Sequence, residues 1–198
     1  MVGESDVSVD TADVDLVGEE TTRNFARAAL FAALVGAGAY VSFPTPWGVP
    51  VTLQVLAVFL TGIFLGPVWG GASMALYIAA GAAGAPVFAG GNAGVGVLLG
   101  NTAGYIWAFP VAVTALGVIV HGGLGPADPR DAGVPRLVTA MLVATVIVYA
   151  GGVLGGMAVQ DLGPVAAIEA YAAPFVPAEV IKIAAAVGVV RSDAIRAA

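Results

Sequence analysis

The sequence of 198 residues contains no cysteine, a single histidine and a single lysine. Without cysteine, disulfides, thiolate metal sites and thiol catalysis are excluded. The lone histidine, His121, argues against a histidine-rich metal site, and its expected place is the solvated or interfacial end of a helix. Charge is also scarce, because only 10% of the residues are Asp, Glu, Lys or Arg, whereas a soluble domain contains about 25%. These shortages are typical of a protein that lies largely within a membrane.

Apolar runs dominate the rest of the chain, since 59% of the residues are hydrophobic and the mean hydropathy is +0.96. Six segments approach the length that a helix needs to cross a bilayer. Their apolar residues are continuous rather than alternating, which favours helices over the strands of a β-barrel. The sequence therefore predicts an all-α, polytopic membrane domain over residues 23–198, with six transmembrane helices at about 25–41, 51–66, 68–83, 102–121, 136–157 and 173–190.

The acidic residues are concentrated at the start of the chain. Residues 1–22 hold seven acidic side chains and no basic one, while residues 23–198 hold seven basic and six acidic ones. The stretch lacks hydrophobic periodicity, so we expect a disordered, solvating tail. It has no basic region followed by an apolar core, which distinguishes it from a signal peptide.

The arginines predict the orientation of the domain. They lie before the first segment, between the fourth and fifth, and after the sixth, whereas the loops 42–50, 84–101 and 158–172 contain no Lys or Arg. With six crossings, all the arginines fall on one side. The positive-inside rule then predicts that both termini are cytoplasmic.

The outer loop between the third and fourth segments is rich in glycine and poor in polar residues. Residues 84–101 read GAPVFAGGNAGVGVLLGN. A stretch this apolar need not be exposed, and we expect it to fold back as a lid or re-entrant piece whose backbone groups are satisfied by protein.

Two charged residues lie inside the sixth segment. Glu179 and Lys182 are three residues apart, so a helix places them on one face. They either neutralise each other as a tie between helices or face a cavity and contact a polar solute. Buried ion pairs contribute little to stability, and intramembrane charges usually mark a pathway, so the second hypothesis is favoured. Other polar residues gather towards the same outer end: Thr52, Gln54, Asn92, Asn101, Thr102, Tyr105 and Tyr171.

Several activities lack their sequence motifs. The chain has no GxxxxGK[ST] nucleotide loop, no HExxH metal motif and no GxSxG nucleophile elbow. No catalytic constellation supports an enzyme, and no cofactor or nucleic-acid partner is expected. Six helices without an evident repeat would make an unusually small self-powered carrier, so concentrative uptake would need an energised partner.

Small residues recur along the first segment. Ala28 and Ala32 are four residues apart, as are Ala29 and Ala33. This spacing allows a second helix to approach closely. The approaching helix belongs either to the same chain or to a partner, and the spacing leaves both open.

Three runs together resemble the BioY family, the biotin-specific substrate-binding subunits (S components) of energy-coupling factor (ECF) transporters. They are residues 27–70 with VPVTLQ, residues 84–105 with FAGGN, and residues 174–186 with PFVPAEVIK. The family usually has aspartate where this chain has Glu179, which is one methylene longer.

The resemblance implies a six-helix subunit in the cell membrane that binds biotin with high affinity from outside. It also implies a complex with a transmembrane coupling subunit and two cytoplasmic ATPases. It implies that Glu179, Lys182 and Asn92 contact the ligand, and that the alanine face of the first helix docks on the coupling subunit. Gln54 and Tyr105 complete the expected site, and Tyr40, Val87, Phe88 and Trp107 are candidates for its apolar walls.

Three alternatives remain open at this point. The chain could act alone as a facilitator or channel, it could bind a different vitamin as the same type of subunit, or it could be a small intramembrane enzyme with Glu179 as base.

Overall fold

The computed structural model describes residues 18–44 and 49–192. Most of these residues are helical. The helices are α1 (Glu19–Gly38), α2 (Gln54–Ala82), α3 (Ala103–His121), α4 (Val134–Gln160), α5 (Pro164–Tyr171) and α6 (Val176–Arg191), with short 3-10 turns at Ala89–Gly91, Val95–Leu99, Pro129–Asp131 and Ala173–Phe175. A two-stranded antiparallel ribbon, β1 (Ser42–Phe43) and β2 (Val51–Thr52), is a small departure from the predicted all-α fold.

Helix α2 is a hairpin rather than one rod. Gly66 has φ 71° and ψ −174°, and Pro67 follows it. Glycine tolerates this positive φ, and proline cannot continue the hydrogen bonding of the first half. Gln54 Nε2 donates to Tyr77 Oη at 2.7 Å, although a straight helix would separate these residues by about 34 Å. The two halves therefore lie side by side, and they correspond to the predicted second and third segments.

Within residues 18–44 and 49–192, four helical stretches are long and apolar enough to cross a membrane: Gln54–Ala82, Ala103–His121, Val134–Gln160 and Pro164–Arg191, the last containing α5 and α6. The chain is thus a multi-pass membrane protein. These four stretches are fewer than the six predicted spans for two reasons. The two halves of α2 are one continuous stretch, and α1 is less apolar because it contains Arg23, Asn24 and Arg27. Helix α5 lies within the predicted loop 158–172, and α1 begins at Glu19, inside the predicted tail. Residues 1–17 of that tail lie outside the described residues.

Arginine side chains tie helix ends together at one end of the bundle. Arg27 Nη2 donates to the Phe64 carbonyl at 3.3 Å, and Arg136 Nε donates to the Ile119 carbonyl at 2.6 Å. The last carbonyls of a helix lack partners within it, and a cation there interacts favourably with the helix dipole. The arginines that predict the orientation therefore also hold the ends of neighbouring helices together.

His121 ends α3 at the same end of the bundle. Its Nδ1 accepts from the Ala127 backbone N–H at 2.8 Å. Nε2 therefore carries the proton and donates to the Ile63 carbonyl at 3.0 Å. The ring links the α2 turn to the loop after α3, so its role is structural as well as interfacial.

Helix α1 packs on α2 through one of its two alanine rows. Ala28 and Ala32 are 2% and 7% exposed, and Ser73 Oγ donates to the Ala28 carbonyl at 2.8 Å. Ala29 is half-buried and Ala33 is exposed. The structure therefore assigns Ala28 and Ala32 to packing within the chain and leaves the second row accessible.

The glycine-rich loop lies folded against the opposite end of the bundle. Phe88 is fully buried and meets the Tyr77 ring edge-on, with centroids 5.5 Å apart. The Gly90 N–H donates to the Ala39 carbonyl at 3.2 Å, and the Gly94 N–H donates to the Gly81 carbonyl at 2.7 Å. These contacts hold the loop against the ends of α1 and α2, next to the β ribbon.

Candidate functional site

Helix α6 brings the two charged residues together as their spacing predicts. Lys182 Nζ donates to Glu179 Oε1 at 2.6 Å. The residues are 3% (Glu179) and 5% (Lys182) exposed. Within the described part of the chain, Glu179 Oε2 is buried without a hydrogen-bond partner. The pair is therefore neutral as a whole, yet it keeps one free acceptor atom.

This pair lines a cavity at the end of the bundle opposite the arginines. The space open to the centres of water molecules is about 60 Å³. Residues from α2, α3, α4, α6 and the loops contribute to its wall: Val49, Pro50, Val51, Thr52, Gln54, Val55, Ala89, Thr102, Tyr105, Ile106, Phe109, Tyr149, Phe175, Glu179 and Lys182. The charged pair thus faces a cavity with mostly apolar and aromatic walls, as ligand sites usually do.

Gln54 is held in place on the cavity wall by hydrogen bonds at both ends of its amide. Its Nε2 donates to Tyr77 Oη at 2.7 Å, and its Oε1 accepts from Thr52 Oγ1 at 3.3 Å. Gln54 is a predicted site residue, and its side chain lies on the wall of this cavity. Its amide is anchored from both sides, so it is a fixed part of the wall.

Tyr105 belongs to an aromatic cluster on the other side of the cavity. Its hydroxyl donates to the Tyr171 carbonyl at 2.5 Å, and the two rings are stacked at 6.2 Å and 17°. Tyr149 meets Tyr105 edge-on at 6.4 Å and lies 6.0 Å from the Phe175 ring. Tyr105 is a predicted site residue, whereas Tyr149 and Phe175 were missed.

Two glycine pairs on α4 position this cluster. A β-carbon at Gly151 or Gly155 would collide with the backbone of Gly104 on α3. One at Gly152 would collide with the Tyr105 ring, and one at Gly156 would collide with the Tyr171 ring. The repeated GGxxGG spacing of residues 151–156 in the sequence was the available signal, because small residues four apart allow close helix approach.

Asn92 lies outside the cavity of the charged pair. It lines a second groove of about 320 Å³, together with Pro44, Pro50, Ala89, Gly90, Val97 and Thr102. Its Nδ2 donates to the Ala89 carbonyl at 2.6 Å. Pro50, Ala89 and Thr102 border both spaces, so the groove adjoins the cavity on its outer side.

The apolar walls expected from sequence lie elsewhere. Phe88 fills the space beside Gly81. Tyr40 is exposed and donates to the Pro86 carbonyl at 2.7 Å. Trp107 is exposed and donates to the Leu98 carbonyl at 3.0 Å, and the Val87 carbonyl lies 3.5 Å from Gln54 Nε2. These residues shape the loops around the site, while Phe109, Tyr149 and Phe175 form its aromatic wall.

The model of the BioY family matches residues 9–197 of the chain. The chain belongs to the BioY family. Among curated relatives, the biotin transporter BioY of Rhodobacter capsulatus is 36% identical over 174 residues, covering 81% of this chain and 87% of that protein. The probable biotin transporter BioY of Lysinibacillus sphaericus is 33% identical over 135 residues, which cover 68% of this chain and 65% of that protein.

A solved membrane-protein structure has the same fold. The S-component for biotin from an ECF-type ABC transporter, determined at 2.1 Å, superposes with a TM-score of 0.77 at 21% identity, covering 88% of this chain and 92% of that one. The predicted family is confirmed, and the intramembrane-enzyme alternative is set aside because BioY relatives are transporters.

Proposed function

We propose that this chain is the biotin-binding membrane subunit of an ATP-driven ECF-type importer. The relatives' names support the ligand class, and the shared fold supports the S-component role. The observation that carries the proposal is the buried Glu179–Lys182 pair, which faces a cavity and leaves Glu179 Oε2 without a hydrogen-bond partner among the described residues.

The chemistry of this pair suits the ureido ring of biotin. That ring offers N–H donors beside a carbonyl acceptor and carries no net charge. Glu179 Oε2 is free to accept from a ureido N–H, and a buried acceptor without a partner is costly until one arrives. Ile106, Phe109 and Phe175 line the same cavity and suit the apolar part of the bicyclic ring.

The charges also favour one orientation of the ligand. The pair is neutral overall, so bringing a third, negative charge into the buried cavity would require desolvation without a free cation to offset it. Of the residues that the structure describes, those lining the outer groove include Asn92 and Thr102 and no Lys or Arg. The ureido ring therefore lies deep, and the valerate chain extends through the groove with its carboxylate near water.

The topology of the proposal has six crossings and cytoplasmic termini. The crossings are α1, the two halves of α2, α3, α4 and α6. The arginine contacts at one end of the bundle and the absence of Lys and Arg from the opposite loops support this orientation. The cavity then opens to the outside.

The exposed alanine row of α1 is the proposed docking face for the transmembrane coupling subunit. Ala33 is exposed and Ala29 half-buried, and Leu30, at 67% exposure, lies on the same side. Small residues four apart allow close helix packing in a membrane. Two cytoplasmic ATPases complete the proposed importer, since this chain has no nucleotide-binding loop of its own.

Saturable biotin binding tests the proposal. Radiolabelled biotin is titrated against detergent-purified protein, and excess biotin, thiamine and riboflavin serve as competitors. We expect biotin alone to compete and the Lys182→Met variant to lose binding, because the cavity then contains an unpaired carboxylate.

Two results would redirect this assignment. Competition by thiamine or riboflavin would favour a subunit for another vitamin, and absence of any saturable binding would remove the S-component role. Biotin uptake that persists in cells without the ATPases would favour a stand-alone facilitator.

A further inference from the structure

We propose that Tyr149 is a ligand-contacting residue whose hydroxyl donates a hydrogen bond to the ureido carbonyl of the bound ligand. This inference rests on the proposed function and assigns a contact to a residue on α4, a helix for which sequence analysis predicted no site residue. Tyr149 lines the cavity of the charged pair. Its Oη is buried and has no hydrogen-bond partner within residues 18–44 and 49–192.

Three hydroxyl groups on or near the cavity wall are already engaged. Tyr105 donates to the Tyr171 carbonyl, Tyr77 accepts from Gln54, and Thr52 donates to Gln54. Buried hydroxyls are normally paired, and an unpaired one calls for an explanation. Tyr171 Oη is also buried without a partner among the described residues, but Tyr171 does not line the cavity. Tyr149 is therefore the unpaired tyrosine that a ligand in the cavity can reach.

The free donor lies beside the free acceptor. The Tyr149 hydroxyl and the Glu179 carboxylate lie near enough to attract each other as donor and acceptor. They do not form a hydrogen bond of normal geometry, because Tyr149 Oη and Glu179 Oε2 both lack a partner in the described part of the chain. A cyclic urea presents an N–H and a carbonyl on adjacent atoms, which is the complement of this acceptor and donor. Glu179 then accepts a hydrogen bond from the N–H and Tyr149 donates one to the carbonyl. Together the two contacts favour a urea as ligand.

The surroundings hold the Tyr149 ring in position. It packs edge-on against Tyr105, at an interplanar angle of 88°, and lies against Phe175 at 36°. Its helix is fixed to α3 where Gly151 meets Gly104. A donor held in this way loses little conformational entropy when the ligand binds, which increases its contribution to affinity.

The Tyr149→Phe variant tests this contact, because it removes only the hydroxyl. We expect the Kd for biotin, measured calorimetrically on the purified full chain, to rise about tenfold, as for one lost hydrogen bond of the stronger kind. The thermal stability of the unliganded protein should stay unchanged or rise, since an unpaired buried hydroxyl is removed. Thr145→Val is the matched control, because Thr145 lies one turn earlier on α4 and its hydroxyl already donates to the Met141 carbonyl at 2.9 Å.

A spectroscopic measurement separates direct contact from an indirect effect. Biotin labelled with ¹³C at the ureido carbonyl is bound to each protein, and its stretching band is isolated by infrared difference spectroscopy. Loss of a hydrogen bond should move the band to higher wavenumber in Tyr149→Phe and leave it in place in Thr145→Val. The inference assigns the Tyr149 hydroxyl a ligand contact and no part in folding. It would therefore be overturned by an unmoved band, by an unchanged affinity, or by failure of Tyr149→Phe to fold. If the parent protein itself binds no biotin, the proposed function fails first, and this inference fails with it.

Discussion

At the scale of single residues, Glu179 and Lys182 illustrate how burial changes the contribution of an ion pair to stability. Both are almost inaccessible, and a contact of 2.6 Å joins Lys182 Nζ to Glu179 Oε1. A buried pair adds little net stability relative to apolar residues, whereas removal of one partner leaves an uncompensated charge. Stability and binding should therefore respond differently to the same substitutions.

We predict that Glu179→Gln lowers the free energy of unfolding by about 3–5 kcal/mol, because the Lys182 ammonium loses its partner. The double variant Glu179→Gln/Lys182→Met should recover most of that stability and still fail to bind biotin. Thermal unfolding in detergent, followed by circular dichroism, measures the first effect, and equilibrium binding measures the second. A double variant that regains binding would show that the pair serves only the packing of α6.

The charged pair could be predicted from sequence because charges are rare in this chain, so each one stands out. Tyr149 could not, because a tyrosine in an apolar run is equally typical of helix packing. Asn92 was predicted from resemblance, but the backbone turns at Gly90 and Gly91 place it in the outer groove. Which residues share a cavity depends on how helices rotate against one another, and local sequence carries little of that information.

At the scale of elements, α4 determines the shape of the aromatic wall. Its Gly152 lies under the Tyr105 ring, and its Gly156 lies under the Tyr171 ring. A side chain at either position would push a ring from its place. The cavity wall therefore requires glycine at these two positions of α4 as much as it requires the rings themselves.

We predict that Gly152→Ala weakens biotin binding at least tenfold and destabilises the protein by about 1–3 kcal/mol, the usual cost of overpacking a well-packed site. The Tyr105 ring would have to shift, and its hydrogen bond to the Tyr171 carbonyl would be strained. Gly188→Ala on α6 is the matched control, because a β-carbon there has no atom within 4 Å. It should leave binding unchanged and raise stability by at most about 1 kcal/mol, since alanine is the better helix former. Wild-type affinity in Gly152→Ala would contradict the proposed role of Gly152 in positioning the Tyr105 ring.

The helix hairpin of α2 was predictable and α5 was not. Gly66–Pro67 is a strong local signal, since both residues disfavour a continuous helix. Helix α5 has eight residues, and its alanines suit a loop in an apolar chain as well as a short helix. The two-residue strands β1 and β2 are fixed by pairing between Ser42 and Thr52, a tertiary contact that neither strand encodes alone.

At the scale of the whole molecule, one face of α1 packs within the chain and the other is the proposed docking face. The Ala28 and Ala32 row packs within the chain, and the row of Ala29 and Ala33 remains accessible. The sequence predicted both rows and could not distinguish them, because only the packing of α1 on α2 decides which one is covered. An assembly test therefore has to target the accessible row.

We predict that Ala33→Trp leaves biotin affinity within about twofold and reduces ATP-dependent uptake at least tenfold, because an indole would hold a partner helix away. Reconstitution with the coupling subunit and ATPases in liposomes measures uptake, and co-purification measures assembly. Val146→Trp serves as the control, since Val146 is 68% exposed on α4, away from α1. Uptake that survives in Ala33→Trp would exclude this face as the docking site.

The location of the lysine allows occupancy of the cavity to be followed by chemical modification. Lys182 is the sole lysine of the sequence, and its ammonium borders the cavity with 5% exposure. A small acylating reagent that modifies this side chain must first enter through the cavity mouth, and a molecule seated there would block its path. The chain thus contains its own footprinting handle, which reports occupancy through mass spectrometry without any engineered label.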